Sequence, residues 1–265
     1  MLKEYTEQLR KVAQELLEQG KVDCFIGYRQ GSVPLRDAPF VAYSAQEAQE
    51  LVWSSFCTAN LAKLLIGRSD RAGIVAQGCV SRNIVGLIQE NQVKRENIHV
   101  VGICSPAMVD HRKVQAKFPD KFIQRVEEDQ DYLYVYGQGL EESLLKRDVR
   151  RNNCYTCAHR NPVIYDQLLG ELGPETWGGD IDKVAAPWEN LSADERWQRF
   201  EQTFQDCIRC YACRDVCPLC YCNQCFVDEN RPQWCGKSQD EADIYTFHIL
   251  RAFHCAGRCT DCGAC

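Results

Sequence analysis

Apolar side chains recur along the first 110 residues with two alternating periods. Leu2, Tyr5, Leu9, Val12 and Leu16 fall at three- and four-residue steps, which predicts an amphipathic helix ending near Gly20. Cys24–Tyr28 and Pro39–Tyr43 are short apolar runs on either side of a Gly/Pro turn region and read as strands. Ser44 followed by Glu47 fits a capping box and predicts a helix through Leu51, Val52, Phe56 and Leu64-Leu65. Gly73–Ala76 is a buried-type strand, Ile84, Val85, Leu87 and Ile88 mark a helix, and His99–Ile103 is a second strand. Strand, helix and strand within about 30 residues predict a right-handed βαβ unit with parallel strands. Residues 1–160 are therefore expected to form an α/β domain around a mostly parallel sheet.

Beyond residue 160 the pattern changes. Pro162, Pro174, Pro187 and the Trp177-Gly178-Gly179 turn make residues 161–191 read as a connector over the surface. Ser192 with Glu195 is a second capping box, and Trp197, Phe200 and Phe204 mark one packing face of the helix it opens. A further helix is expected from about Asp240 to Phe253, with Ile244, Phe247 and Leu250 on one side.

Composition narrows the class. With 45% hydrophobic and 26% charged residues in 265, the chain can bury a core without covalent staples. A net charge of -6 argues against a nucleic-acid partner, which needs a basic footprint. No apolar run approaches the roughly 20 residues of a membrane helix, and the polar amphipathic N-terminus has no signal-peptide core. The expectation is a cytoplasmic protein without membrane insertion, in a compartment that keeps thiols reduced. Its 18 cysteines then point to metal rather than disulfides.

Those cysteines are unevenly placed: twelve of them lie after residue 206. Cys207-x2-Cys210-x2-Cys213-x3-Cys217-Pro218 matches the bacterial ferredoxin run, in which three thiolates hold one cubane and the fourth reaches the other. A zinc site would want two separated pairs, and these four do not divide that way. Cys259-x2-Cys262-x2-Cys265 begins a second run, so residues 192–265 read as a helical dicluster ferredoxin-like domain. In the crossed arrangement Cys259, Cys262 and Cys265 pair with Cys217. Cys207, Cys210 and Cys213 then need a fourth ligand, from Cys220, Cys222, Cys225, Cys235 or Cys255, or from a stretch beyond Cys265; the expectation is the latter, a domain truncated at its C-terminus relative to a longer natural protein. Cys220, Cys222 and Cys225 read either as a reduced loop, a small zinc site completed by Cys235, or part of an additional cluster.

In the N-terminal part, Cys79 and Cys104 follow the two predicted parallel strands, at the edge where open α/β sheets place ligands. A lone cysteine there is often only a small buried residue. Two at equivalent positions, together with Cys57 and the Cys154-x2-Cys157 pair, make a shared metal or iron–sulfur site the competing reading. Cys24, inside a strand, reads as core. No G-x-G-x-x-G or Walker A pattern is present, and Gly137-Gln138-Gly139 does not open a helix after a strand. No acid/base dyad or Ser/His/Asp arrangement is evident, so the chemistry belongs to cofactors.

Four segments resemble the coenzyme F-420 hydrogenase/dehydrogenase beta-subunit family. They are Gly73–Ile84 (GIVAQGCVSRNI), Glu90–Ile98 running into Cys104, Cys207–Arg214 (CIRCYACR) and Cys217–Cys222 (CPLCYC). The resemblance spans most of residues 20–265. It implies an electron-transfer subunit with 4Fe-4S clusters and often FAD, working between a soluble carrier and a hydrogenase, formate dehydrogenase or heterodisulfide-reductase-like partner subunit. It also implies Cys79, Cys104, Cys154 and Cys157 as ligands of an N-terminal cluster, with Cys57 as substitute. Two 4Fe-4S clusters are expected from the ferredoxin runs and a third from this N-terminal set. The rival readings are an FAD-dependent oxidoreductase reducing coenzyme F-420 or a similar carrier, and a zinc-binding structural or interaction module.

Overall fold

The computed structural model describes residues 2–105, 107–174, 179 and 182–265. Helix α1 (Leu2–Glu18) buries Leu9, Val12 and Leu16 of the predicted stripe, together with Ala13. Strands β1 (Cys24–Gln30) and β2 (Asp37–Ala42) form an antiparallel pair, with Ile26 opposite Val41. Next come β3 (Ala72–Ala76), α2 (Gly78–Gln89) and β4 (Ile98–Ile103), the predicted βαβ unit, with its strands parallel and Ile74 opposite Val100. Helix α3 (His111–Lys117) leads to β5 (Ile123–Glu128), β6 (Tyr132–Gly137) and β7 (Leu140–Leu145). A short helix α4 (Asn152–Thr156) precedes β8 (Gln167–Leu169), which pairs in parallel with β4.

The main sheet runs β2-β1-β3-β4-β8, parallel throughout except at β2. The fold is thus an α/β domain with a mixed, mostly parallel sheet. All five residues of β3 and five of six in β4 are buried, because helices and loops cover both faces of such a sheet. Each fully buried Ile or Val there contributes roughly 1.5–3 kcal/mol of hydrophobic free energy.

Three expectations need correction. The helix predicted from Ser44 to Leu65 is two short 3-10 turns, Glu47–Glu50 and Leu61–Leu65, on either side of an irregular stretch. Ser44 does cap Glu47 N–H (3.2 Å), but the Glu47 carboxylate takes Tyr43 N–H (2.6 Å) rather than closing the box. Tertiary bonds then claim the backbone: Val52 N–H donates to Tyr28 O (2.8 Å) and Trp53 N–H to Thr6 Oγ1 (2.9 Å). Second, the 161–191 connector is not merely a surface strap, because it supplies β8. Of its predicted turn, Trp177 and Gly178 lie outside the described residues. Third, residues 123–145 form a separate antiparallel sheet, β5-β6-β7, unforeseen in the pattern. Gly137-Gln138-Gly139 is its β6–β7 turn, with Gly139 at φ +65°.

After α5 (Asp182–Glu189), helix α6 (Ala193–Phe204) opens on the predicted capping box, Glu195 N–H to Ser192 Oγ and Ser192 N–H to Glu195 Oε2 (2.8 Å). A four-residue helix α7 (Ala212–Asp215) and α8 (Glu241–Cys255) complete the chain. The aromatic face of α6 packs on α8, Trp197 and Phe200 against Tyr245 and Phe204 stacked on His248 at 3.7 Å. Phe247, Val227 and Cys235 form a small satellite core. Among the described residues, no helix is long and apolar enough to cross a membrane.

Candidate functional site

The β3-to-α2 turn places Cys79 on the first turn of α2, at the carboxyl end of β3. The turn demands glycine at position 78, because a Cβ there would lie 2.5 Å from Arg160 O. That close approach brings the 154–160 segment over Cys79. Arg160 donates to Cys154 O (2.6 Å), and the Cys157 thiol to His159 O (3.3 Å). Cys79, Cys154 and Cys157 line one narrow cavity of about 40 Å3, and the fourth thiol on its wall is Cys262, from the far end of the chain. Burial pushes the Cys79 thiol up to about 12, with the negative charge of Cys262 adding to the effect. Burial raises Cys154 in the same direction.

Cys104 and Cys57 do not join them. Cys104 lines a neighbouring cavity of about 490 Å3, with Tyr5, Trp53, Arg147 and Arg150 on its wall. This cavity shares Ser105 and Met108 with the thiol-lined one. Cys57 is fully buried, its thiol against Asp37 Oδ2 (3.6 Å) and Val52 O (3.8 Å), and desolvation holds it firmly protonated. Cys24 sits in β1 as expected, pushed up to about 11 by burial.

The C-terminal thiols surround two further cavities. One, of about 110 Å3, is lined by Cys217, Cys255, Cys259, Cys262 and Cys265, and by Arg251. The other, of about 400 Å3, is lined by Cys220, Cys222, Cys225 and Cys255, with Arg214 and Arg258. The Cys220 thiol beside Cys217 draws the Cys217 thiol below its ordinary value and is itself pushed up in return. In the first ferredoxin run, His248 Nε2 lies 3.2 Å from Cys207 Sγ, Cys213 is half-buried and raised by desolvation, and Cys210 is exposed. Cys235 is buried, with its sulfur against Arg209 Nη2 (3.4 Å) and Asp243 O (3.5 Å).

Sequence reasoning offered Cys255 only as an alternative fourth ligand of the first ferredoxin run, and missed the arginines. Arg251, Cys255 and Cys259 lie at successive four-residue steps across the end of α8, a spacing that could have signalled their shared wall. Arg251 donates to Cys213 O (2.8 Å), while its buried Nε has no partner among the described residues. A cationic donor left over between thiols suits a sulfide-bearing anion. Among the described residues, no three His, Cys, Asp or Glu side chains form a group that could hold a single metal ion. A cubane spreads its thiolates more widely, each on a different iron, and soft sulfur ligands suit it. The donor chemistry at these cavities therefore fits iron–sulfur clusters.

Contacts tie the two halves together. Arg258 forks onto Glu90 at the end of α2 through Nη2–Oε2 (2.5 Å) and Nε–Oε1, and Tyr221 OH donates to Glu90 Oε2 (2.8 Å). These bonds hold the Glu90 carboxyl below the usual carboxylate range.

No family model matches the chain. It is similar to the F420-dependent formate dehydrogenase subunit beta of Methanocaldococcus jannaschii, 21% identical over 309 residues that cover 94% of this chain and 81% of that protein. The F420-dependent formate dehydrogenase 1 subunit beta of Methanococcus maripaludis is 22% identical over 274 residues, 79% of this chain and 70% of that protein. Among solved structures, a chain of the xenon-derivatized F420-reducing NiFe hydrogenase complex from Methanosarcina barkeri aligns with 57% of this chain and 62% of its own length. The TM-score is 0.42 at 17% identity.

Proposed function

Because this chain belongs to the coenzyme F-420 hydrogenase/dehydrogenase beta-subunit family, we propose that it is the iron–sulfur electron-transfer subunit of a multi-subunit oxidoreductase. Its partner is a catalytic subunit of the formate dehydrogenase, hydrogenase or heterodisulfide-reductase-like kind. Residues 1–160 form the α/β domain, which borrows β8 from the connector, and residues 192–265 the dicluster ferredoxin-like domain.

One observation carries this reading. Eleven cysteines wall three adjoining cavities: the first and second share Cys262, the second and third share Cys255, and Cys207, Cys210 and Cys213 of the first ferredoxin run line none of the three. 4Fe-4S clusters, when bound, supply reversible one-electron storage over a wide range of potentials. The chain's own groups do the rest. The thiols give up their protons to become ligands. Arg251, Arg214 and Arg258 put positive charge beside them, and Cys79 is half-buried on the first turn of α2.

A second reading has its own support. The cavity holding Cys104 shares a wall with the first thiol site, opens at the carboxyl end of β4, and has the size of a small-molecule pocket. Its aromatic Trp53 and Tyr5 and cationic Arg147 and Arg150 suit an FAD ring and pyrophosphate, as an enzyme reducing coenzyme F-420 or a similar carrier needs.

Anaerobic purification with iron and sulfide analysis tests both. About eight irons correspond to the ferredoxin pair alone and about twelve add the N-terminal site, at four per cubane. An EPR signal after dithionite supports the relay, and bound flavin absorbance supports the second reading. Stoichiometric zinc with no reduced-cluster signal refutes both and leaves a zinc-binding structural module.

A further inference from the structure

We propose that Cys262 is the fourth ligand of the cluster held by Cys79, Cys154 and Cys157, so that the N-terminal site is closed by the C-terminal segment. The proposal rests on the iron–sulfur reading above and departs from both ligand sets implied by sequence. Cys262 leaves the second ferredoxin run, and Cys104 leaves the N-terminal set.

The residues on either side of Cys262 are fastened to the elements that carry the other three thiols. Asn83 of α2 donates to Thr260 Oγ1 (2.8 Å), Asn153 of α4 to Asp261 O (3.1 Å), and Arg151 to Gly263 O. Thr156 Oγ1 reaches Asp261 Oδ2 (3.4 Å). Cys262 is thus held from both sides against α2 and α4. The backbone is shaped for that seat. Asp261 (φ 51°) and Gly263 (φ 67°) both adopt the left-handed conformation, costly for Asp261 and free for glycine. A Cβ on Gly263 would also meet the Asn153 side chain at 2.6 Å.

Cys104 has another setting. It faces the larger cavity instead. Reassigning Cys262 leaves the middle cavity with four thiols, Cys217, Cys255, Cys259 and Cys265, so no ligand set falls short there.

The test is iron and sulfide counting, with spin quantitation of the dithionite-reduced EPR signal, on the full chain reconstituted without oxygen. Cys79→Ala and Cys262→Ala should each lose about four irons and one cluster's spin. The double variant should lose the same four, because both thiols serve one cluster. Cys79→Ala with Cys259→Ala should lose about eight, which shows that independent losses add and that a doubly substituted chain still folds. Cys104→Ala should lose none. A loss of about eight irons in Cys79→Ala/Cys262→Ala, or a loss of four in Cys104→Ala, overturns the assignment. A wild type that takes up no iron refutes the iron–sulfur reading itself, and is told apart because it fails before any variant is compared.

Discussion

Removing the Glu90 carboxylate should loosen the C-terminal thiol domain from the sheet. Glu90 accepts a two-pronged bond from Arg258 and a third from Tyr221 OH at 2.8 Å, with the Arg258 and Glu90 side chains 32% and 25% exposed. A hydrogen bond to a charged group contributes about 1.5–3 kcal/mol when well shielded, and partial exposure lowers this. For the cluster of three, a net coupling of about 2 kcal/mol is a fair estimate, equivalent to about a 30-fold change in an opening equilibrium. Hydrogen exchange of α8 amides reports that equilibrium directly. Glu90→Gln and Arg258→Gln should each accelerate exchange about 10- to 30-fold, and the double variant should add little, since both remove one interaction. The effect is pH-dependent. The folded carboxyl is held below its unfolded value, so the stabilisation is present above the unfolded pKa, roughly 4.3, and is lost as pH falls through the lower folded pKa. Exchange within about threefold of wild type in Glu90→Gln at pH 7, or fully additive effects of the two variants, would refute the coupling.

Other substitutions probe the thiol sites and their frame. Cys210→Ser should remove one cluster, about four irons, and leave the N-terminal site intact; unchanged iron would contradict the ferredoxin assignment. Cys57→Ala should keep all its iron, because that thiol is buried against Asp37 and Val52 O, and should lower thermal stability by about 1 kcal/mol through lost packing and hydrogen bonding. Gly78→Ala sets a Cβ 2.5 Å from Arg160 O, so the 154–160 segment must shift. Thermal unfolding should show a loss of roughly 1–3 kcal/mol, in the range of core overpacking, with reduced iron at the N-terminal site.

Much of the α/β half was legible because its signals are local. The three- and four-residue spacing of Leu9, Val12 and Leu16 needs only one helix to be read, and β3-α2-β4 is a run of near-continuous apolar strands about a helical period. The β5-β6-β7 sheet escaped because only alternate residues such as Leu133 and Val135 are buried, while glutamates and tyrosines face outward. The predicted helix after Ser44 failed because Thr6 and Tyr28, distant in sequence, compete for its backbone. Among the thiols, the 207–217 run announces itself by spacing alone. The meeting of Cys262 with Cys79 does not, since it depends on hydrogen bonds between α2, α4 and a loop formed at the other end of the chain.

Strand β8 has a practical consequence for anyone dividing this protein. Only three residues long, it covers the edge of β4, whose Val100, Val101 and Ile103 are fully buried. Cutting the chain at residue 160, where the α/β half seems to end by composition, would leave β4 with a bare row of N–H and C=O groups on an apolar strand. Such edges template pairing between molecules, so a truncated N-terminal half should aggregate, whereas one extended past Leu169 keeps its guard.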